Sequence, residues 1–289
     1  MKRCVECDLS FDASGWTCPY CGFVPRVIGA VTSFATPHGK DGFDPGAFDH
    51  LIELERLSFW FRARNRLIDW TLGRYFPDAT SFLEIGCGTG FVLAGLRATR
   101  PNLSLIGTDL HIDGLAHAAR RLPEVGLLQV DGRRIPFDAE FDVVGAFDVI
   151  EHIDDDEATL AEMHRAVRPG GGIMLTVPQH QWLWSASDEY AEHKRRYYRS
   201  ELVAKVSGAG FAIRRVTSFV TLLMPAMAVT RRVGRRTSRG SFDPVREHLA
   251  AQRATAPLER VLGLEHALIA RGIDLPVGGS LLLVAERQA

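Results

Sequence analysis

Four of the five cysteines stand in two pairs near the start of the chain, Cys4-Val-Glu-Cys7 and Cys18-Pro-Tyr-Cys21, with ten residues between them. Each Cys-x-x-Cys turn aims two thiolates at one point, so two turns complete a tetrahedral zinc site made of Cys4, Cys7, Cys18 and Cys21. Four thiolates leave no open coordination position, which makes the expected zinc structural. A redox disulfide needs only one pair, and usually a thioredoxin-like βαβ setting that is missing here. A second chemistry is written in Phe82-Leu-Glu-Ile-Gly-Cys-Gly-Thr-Gly-Phe91. An apolar run leads through Glu84 to Gly86, Gly88 and Gly90 at alternate positions, then to an apolar helix start. Glycines at that spacing let the backbone turn tightly and approach a ligand, and the helix behind them offers unpaired N–H groups. A carboxylate ahead of such a loop would repel a phosphate; it suits a ligand carrying hydroxyls and positive charge. Downstream, Asp109, Asp131 and Asp148 each close an apolar run. His152 and His193 are the candidate general bases, and each also reads as a packing or hydrogen-bonding histidine.

The elements that must position these groups follow from periodicity. From Thr80, strand and helix patterns alternate, the mark of a parallel sheet covered on both faces. Strands are expected over residues 81–85, 103–109, 126–132, 141–148 and 173–178, with a sixth over 211–219 and a last over 279–285. Ahead of them, residues 47–75 carry apolar positions at helical spacing, including the run Phe59-Trp60-Phe61-Arg62-Ala63-Arg64. The expected organisation is a zinc ribbon over 1–26, a Gly/Pro/Thr/Ser-rich linker over 27–46 and a helical cap over 47–79. A core over 80–219, a lid insertion over 220–275 and a final strand over 276–289 complete it.

The ordered set from Thr80 to Pro178 resembles the class I S-adenosylmethionine-dependent methyltransferases, of the type that acts on small molecules and in ubiquinone biosynthesis. Glu-x-Gly-x-Gly-x-Gly is the form of that family's cofactor loop. The resemblance implies a Rossmann-like α/β fold with a seven-stranded sheet whose last strand is antiparallel. It implies S-adenosylmethionine as cofactor, with Gly86, Cys87, Gly88 and Gly90 passing its methionyl part and Glu84 on the ammonium side. By the same resemblance Asp109 and Leu110 take the ribose region, Asp131 and Gly132 the adenine edge, and Asp148 and Val149 the floor near the sulfonium. The run 179–202, rich in Trp, Tyr, His and basic residues, is the expected acceptor loop.

Composition bounds the reading. A formal charge of −1 gives no global pull toward nucleic acid. No run of about 18 apolar residues suggests a membrane span. Met1 to Asp12 is polar, without the apolar core of a signal peptide. Clustered free thiols fit a reducing cytoplasm. The favoured acceptor is a small-molecule or lipid-like metabolite, because Asp148-Val-Ile-Glu lacks the Asn/Asp-Pro-Pro-Tyr pattern used on nucleobase amines. Three alternatives stay open: an RNA methyltransferase that uses the zinc ribbon for RNA contact, a non-catalytic cofactor-binding module, and a nicotinamide enzyme. Residues 220–239, apolar and then arginine-rich, fit a lid helix with a solvated basic end or a peripheral membrane contact.

Overall fold

The structure, a computed structural model, describes residues 1–34, 47–237 and 255–288. Two short hairpins come first: β1 (Lys2–Arg3) with β2 (Ser10–Phe11), and β3 (Arg26–Ile28) with β4 (Val31–Ser33). Helices α1 (Ala47–Leu57) and α2 (Phe59–Tyr75) precede the alternating unit. That unit runs β5 (Ser81–Ile85), α3 (Phe91–Thr99), β6 (Ser104–Asp109), α4 (Ile112–Arg121), β7 (Gly126–Gln129), β8 (Phe141–Phe147), α5 (Asp156–Ala166) and β9 (Val167–Pro178). The remainder is α6 (Ala186–Tyr190), α7 (Arg199–Gly208), β10 (Phe211–Phe219), α8 (Met224–Thr237), α9 (Thr255–Ala270) and β11 (Ser280–Arg287).

The central sheet has the order β10-β11-β9-β8-β5-β6-β7-β4-β3. Strands β7, β6, β5, β8 and β9 are parallel, and β11 lies antiparallel between β9 and β10. This is the expected seven-stranded arrangement with its antiparallel last strand. The middle strands are apolar on both faces because helices cover both sides. Leu83, Val143, Val144, Ile173, Leu175 and Leu283 have no exposed surface. Each such side chain contributes roughly 1.5–3 kcal/mol on burial.

Four expectations change, the first being the fifth strand, which begins at Val167 and not at 173. The 27–46 linker is in part a sheet element: β4 pairs with β7 in parallel through Thr32↔Leu128 and Ser33↔Gln129, so the sheet has nine strands among the described residues. The turn residues that suggested a linker make the tight β3–β4 hairpin instead, with Gly29 at φ +59°. Residues 35–46 lie outside the described residues. The helix over 47–75 is broken at Ser58, whose side chain caps α2 by accepting from Trp60 N–H. The third strand stops at Gln129, because Asp131 turns the chain.

The cap and insertion join in a further apolar cluster of Leu67, Phe219, Val220, Leu262, Ile269 and Leu282. Glu259 on α9 holds Arg62 at 3.0 Å and Arg66 at 2.7 Å on α2. Val220 sits at φ +60°, costly for a β-branched residue. Buried Glu265 holds it there by accepting from the N–H groups of Val220, Thr221 and Leu222. Among the described residues no helix is long and apolar enough to cross a membrane.

Candidate functional site

Strands β5, β6 and β8 end side by side, which sets Glu84, Asp109 and Asp148 along one edge of the sheet. In open α/β sheets that edge borders the ligand crevice. Gly86 begins the loop at φ +68°, and a Cβ there would stand 2.5 Å from Val149 Cγ2. Only glycine meets both conditions. Gly90, also left-handed, opens α3 with no side-chain cap. From above, Phe48 of α1 packs toward Gly88 and Gly114, and Glu55 of α1 accepts from Thr89 Oγ1 and from Arg121 Nη2 at 2.9 Å.

The carboxylates differ in how far they are committed. Asp109 Oδ2 accepts from Gly88 N–H and its Oδ1 from His111 N–H, each at 2.8 Å. Burial pushes its pKa up against those bonds. Glu84 is 2% exposed, and its Oε2 has no partner. Burial pushes Glu84 up to about 8, with Arg64 opposing and Asp109 and Glu55 adding to the rise. Asp131 is engaged as a turn cap: it accepts from Arg133 N–H at 2.9 Å and pairs with the Arg133 guanidinium at 2.7 Å. Asp148, at φ +57°, accepts from Thr176 Oγ1 at 3.0 Å and from Arg64 Nη1. Arg64 reaches it from α2, 4.7 Å from the Trp60 ring centroid and 5.2 Å from that of Phe61.

Among the loop residues Cys87 differs from its expected place. Its N–H donates to Thr108 O at 2.8 Å, and its thiol is buried where a Cβ on Gly107 would lie 2.9 Å away. Neither group is presented to the crevice. Leu110 O accepts from Gln129 Nε2 at 2.9 Å. A Cβ on Gly132 would meet Ile85 and Thr159 at 3.3 Å.

The two candidate bases, 41 positions apart in sequence, come together with ring centroids 4.7 Å apart. The segment after β9 brings His193 there. Tyr197 anchors it, fully buried, donating to Asp156 Oδ2 at 2.6 Å. Arg196 Nε donates to Asp188 Oδ1 at 2.7 Å. Asp188 Oδ1 also lies 2.9 Å from His193 Nδ1. Burial alone would raise Asp188, but His193 and Arg196 hold it well below the usual carboxylate range. An ionised carboxylate only accepts, so His193 Nδ1 carries a proton toward Asp188, and Nε2 is the nitrogen left to exchange one. His152 is pushed down to about 3 by burial, with His193, His111 and Lys194 adding like charge, so it is neutral near pH 7. Glu151 beneath them is fully buried; neither carboxylate oxygen has a hydrogen-bond partner, and Oε1 lies 3.9 Å from His193 Nε2. Glu151, His152 and His193 offer one oxygen and two nitrogens within 4.8 Å of one another. Such a set suits a divalent transition metal.

Sequence reasoning missed Asp188, Glu151 and the Arg64–Asp148 pair as parts of the site. Asp188 had a weak signal, an acid five residues before His193. Arg64 had only its aromatic neighbours.

At the N-terminus, the sulfurs of Cys4 and Cys21 lie 3.5 Å apart, those of Cys7 and Cys18 3.7 Å, and all four within 4.8 Å. A tetrahedron of zinc–sulfur bonds of about 2.3 Å has edges of about 3.8 Å, so the four residues fit the metal.

Residues 83–175 match the family model described as a methyltransferase domain. A probable S-adenosylmethionine-dependent methyltransferase of Mycolicibacterium smegmatis is 31% identical over 163 residues, 54% of this chain and 60% of that protein. The trans-aconitate 2-methyltransferase of Azoarcus sp. is 29% identical over 132 residues, 46% of this chain and 50% of that protein. The chain thus spans between half and three fifths of the length of these relatives. A chain in the solved complex that contains the Haloferax volcanii Trm112 methyltransferase activator superposes with TM-score 0.60 at 18% identity, over 87% of this chain and 100% of that one. At that identity the likeness is one of fold.

Proposed function

Because this chain carries a class I S-adenosylmethionine-dependent methyltransferase domain, we propose that it transfers the cofactor's methyl group to an oxygen, nitrogen or carbon nucleophile of a small-molecule or lipid-like metabolite. The observation that carries the reading is Glu84: a buried carboxylate oxygen without a partner, beside a left-handed glycine loop, is a place kept for a cation. The methionine ammonium is that cation. The loop of Gly86, Gly88 and Gly90 borders the methionyl chain, Asp109 and Leu110 border the ribose, and Asp131 with Gly132 the adenine edge. Asp148 and Val149 form the floor below the sulfonium, and the Arg64 pairing keeps Asp148 from drawing the methyl donor into a tight ion pair.

Held by Glu84, the glycine loop and Asp109, the cofactor would supply an activated methyl carbon together with its sulfur leaving group. The protein aligns the acceptor in line with that bond and excludes water. His193 takes the acceptor's proton on Nε2, and Asp188 steadies the imidazolium that forms. His152, neutral, lines the same pocket. Trp182 and Tyr198, about half exposed and packed beside the His180 ring in the same segment, offer aromatic surface for the acceptor. Cys4, Cys7, Cys18 and Cys21 hold a structural zinc.

A second reading of the same side chains is favoured by the absence of any hydrogen bond to the buried Glu151 carboxylate: Glu151, His152 and His193 would hold a divalent cation, which would supply Lewis-acid polarisation of an acceptor hydroxyl. The two readings separate on added metal. Base catalysis leaves turnover insensitive to Mn2+, and cation catalysis makes it rise.

The function itself is tested with labelled S-adenosylmethionine and cell extract separated into lipid, small-molecule, RNA and protein fractions. Label in the lipid or small-molecule fraction is the expected result. Label in RNA would transfer the assignment to the RNA reading, and label nowhere would favour a binding module.

A further inference from the structure

The N-terminal module meets the domain at several points, among them Lys2 bridged to Phe137 and Arg3 N–H donating to Pro136 O, and a further contact leads toward the cofactor edge. Strand β4 adds to the β7 edge, and Phe34 N–H donates to Gln129 O at 2.9 Å. Ser33, 2% exposed, donates its hydroxyl to Gln129 Oε1 at 2.7 Å. The other end of that amide, Nε2, donates to Leu110 O at 2.9 Å. Leu110 O is a carbonyl and can only accept, so the amide nitrogen must face it. The amide oxygen therefore faces Ser33, which must donate. Both ends of the Gln129 side chain are fixed by this geometry.

Leu110 follows Asp109, whose carboxylate holds Gly88 and His111. Gln129 thus pins the main chain on the far side of the residue assigned to the ribose. The cysteine turns hold the other end of the relay. Trp16, between the two pairs, packs on Phe34 at 4.7 Å and Phe137 at 5.5 Å, and Phe23, just after Cys21, lies 6.5 Å from Phe34. Arg3, beside Cys4, pairs with Glu162 at 2.9 Å, and Glu162 in turn accepts from Ile135 N–H.

We propose that Gln129, oriented by Ser33, is a positioning residue for the adenosine half of the cofactor site, and that metal held by the four cysteines sets cofactor affinity through it. The inference rests on the cofactor reading above. It gives the cysteine cluster a task within the same chain, with no nucleic acid or second protein required.

The test is calorimetry with S-adenosylhomocysteine and with methylthioadenosine, which lacks the amino-acid end. Wild type is compared with Ser33→Ala, Ser33→Thr and Gln129→Glu, each as the full metal-loaded chain. Gln129→Glu keeps an acceptor for Ser33 and loses the donor to Leu110. Ser33→Ala and Gln129→Glu are expected to bind both ligands about 3- to 10-fold more weakly, the loss of one net hydrogen bond, at a thermal midpoint within a degree or two of wild type. Ser33→Thr, with its hydroxyl, restores affinity. Metal depletion of wild type weakens binding at least as much, and depletion in the Gln129→Glu background adds little, the mark of a shared path. Unchanged affinity in both variants, or additive effects of depletion and Gln129→Glu, would overturn the proposal. Failure of wild type to bind either ligand would instead sink the cofactor reading beneath it.

Discussion

Asp109 serves two demands at once, holding the Gly88 and His111 N–H groups and standing where the ribose is proposed to bind. Asp109→Ala should therefore weaken S-adenosylhomocysteine binding ten-fold or more, at about 1.5–3 kcal/mol for a charged hydrogen bond; titration calorimetry checks it. Glu84 makes a sharper prediction, because its folded pKa is raised to about 8 from 4.5. A raised pKa favours the protonated folded state, so stability is full below the unfolded value and falls as pH rises toward 8. Glu84→Gln removes that loss: thermal midpoints of variant and wild type should diverge upward from pH 5 to pH 8, by an amount equivalent to about 2–4 kcal/mol. The same variant should bind the cofactor product less tightly. Since an ammonium favours the ionised carboxylate, wild-type affinity should rise with pH up to about 8, with close to one proton released per ligand at pH 6.5. At the base, Asp188→Asn frees the His193 tautomer and should lower kcat by about 10²-fold or more with little change in cofactor affinity, in line with a general base's typical contribution. Equal losses in both would mark Asp188 as a fold anchor only.

Among the elements, β4 carries the most consequence for its three residues. Without it the β7 edge would present unpaired backbone groups, which a sheet must cover or blunt. Cys18→Ser should lose the bound zinc, measured as metal per chain, and lower the thermal midpoint of the whole chain, since the ribbon is packed on Phe137 and Glu162. A midpoint equal to wild type would mean the ribbon is a separate appendage. The alternating elements of the core were legible because each is a short apolar run bounded by Gly, Pro or an acid. The β3–β4 hairpin was not, because Arg26 to Ser33 has too few residues for a period and its turn residues read as linker. The break at Ser58 was hidden for a related reason: apolar spacing persists across it, and only the cap bond to Trp60 N–H marks it.

For the molecule as a whole, the strand–helix alternation implied a parallel sheet, and the family resemblance placed the crevice and its row of acids at the carboxyl ends of the strands. Glu84, Asp109 and Asp148 fell on that edge because each lies at the carboxyl end of a strand. What sequence could not place were contacts made across long separations: Arg64 with Asp148, 84 residues apart, and Ser33 with Gln129, 96 apart. Asp188 with His193 is local, yet depends on Tyr197 and Arg196 folding the segment back over Glu151. If this edge is built for a cofactor bearing a ribose and an ammonium, calorimetric titration of the wild-type chain should show one tight S-adenosylhomocysteine per chain and no heat with NAD. Tight NAD binding without S-adenosylhomocysteine binding would rule that cofactor out.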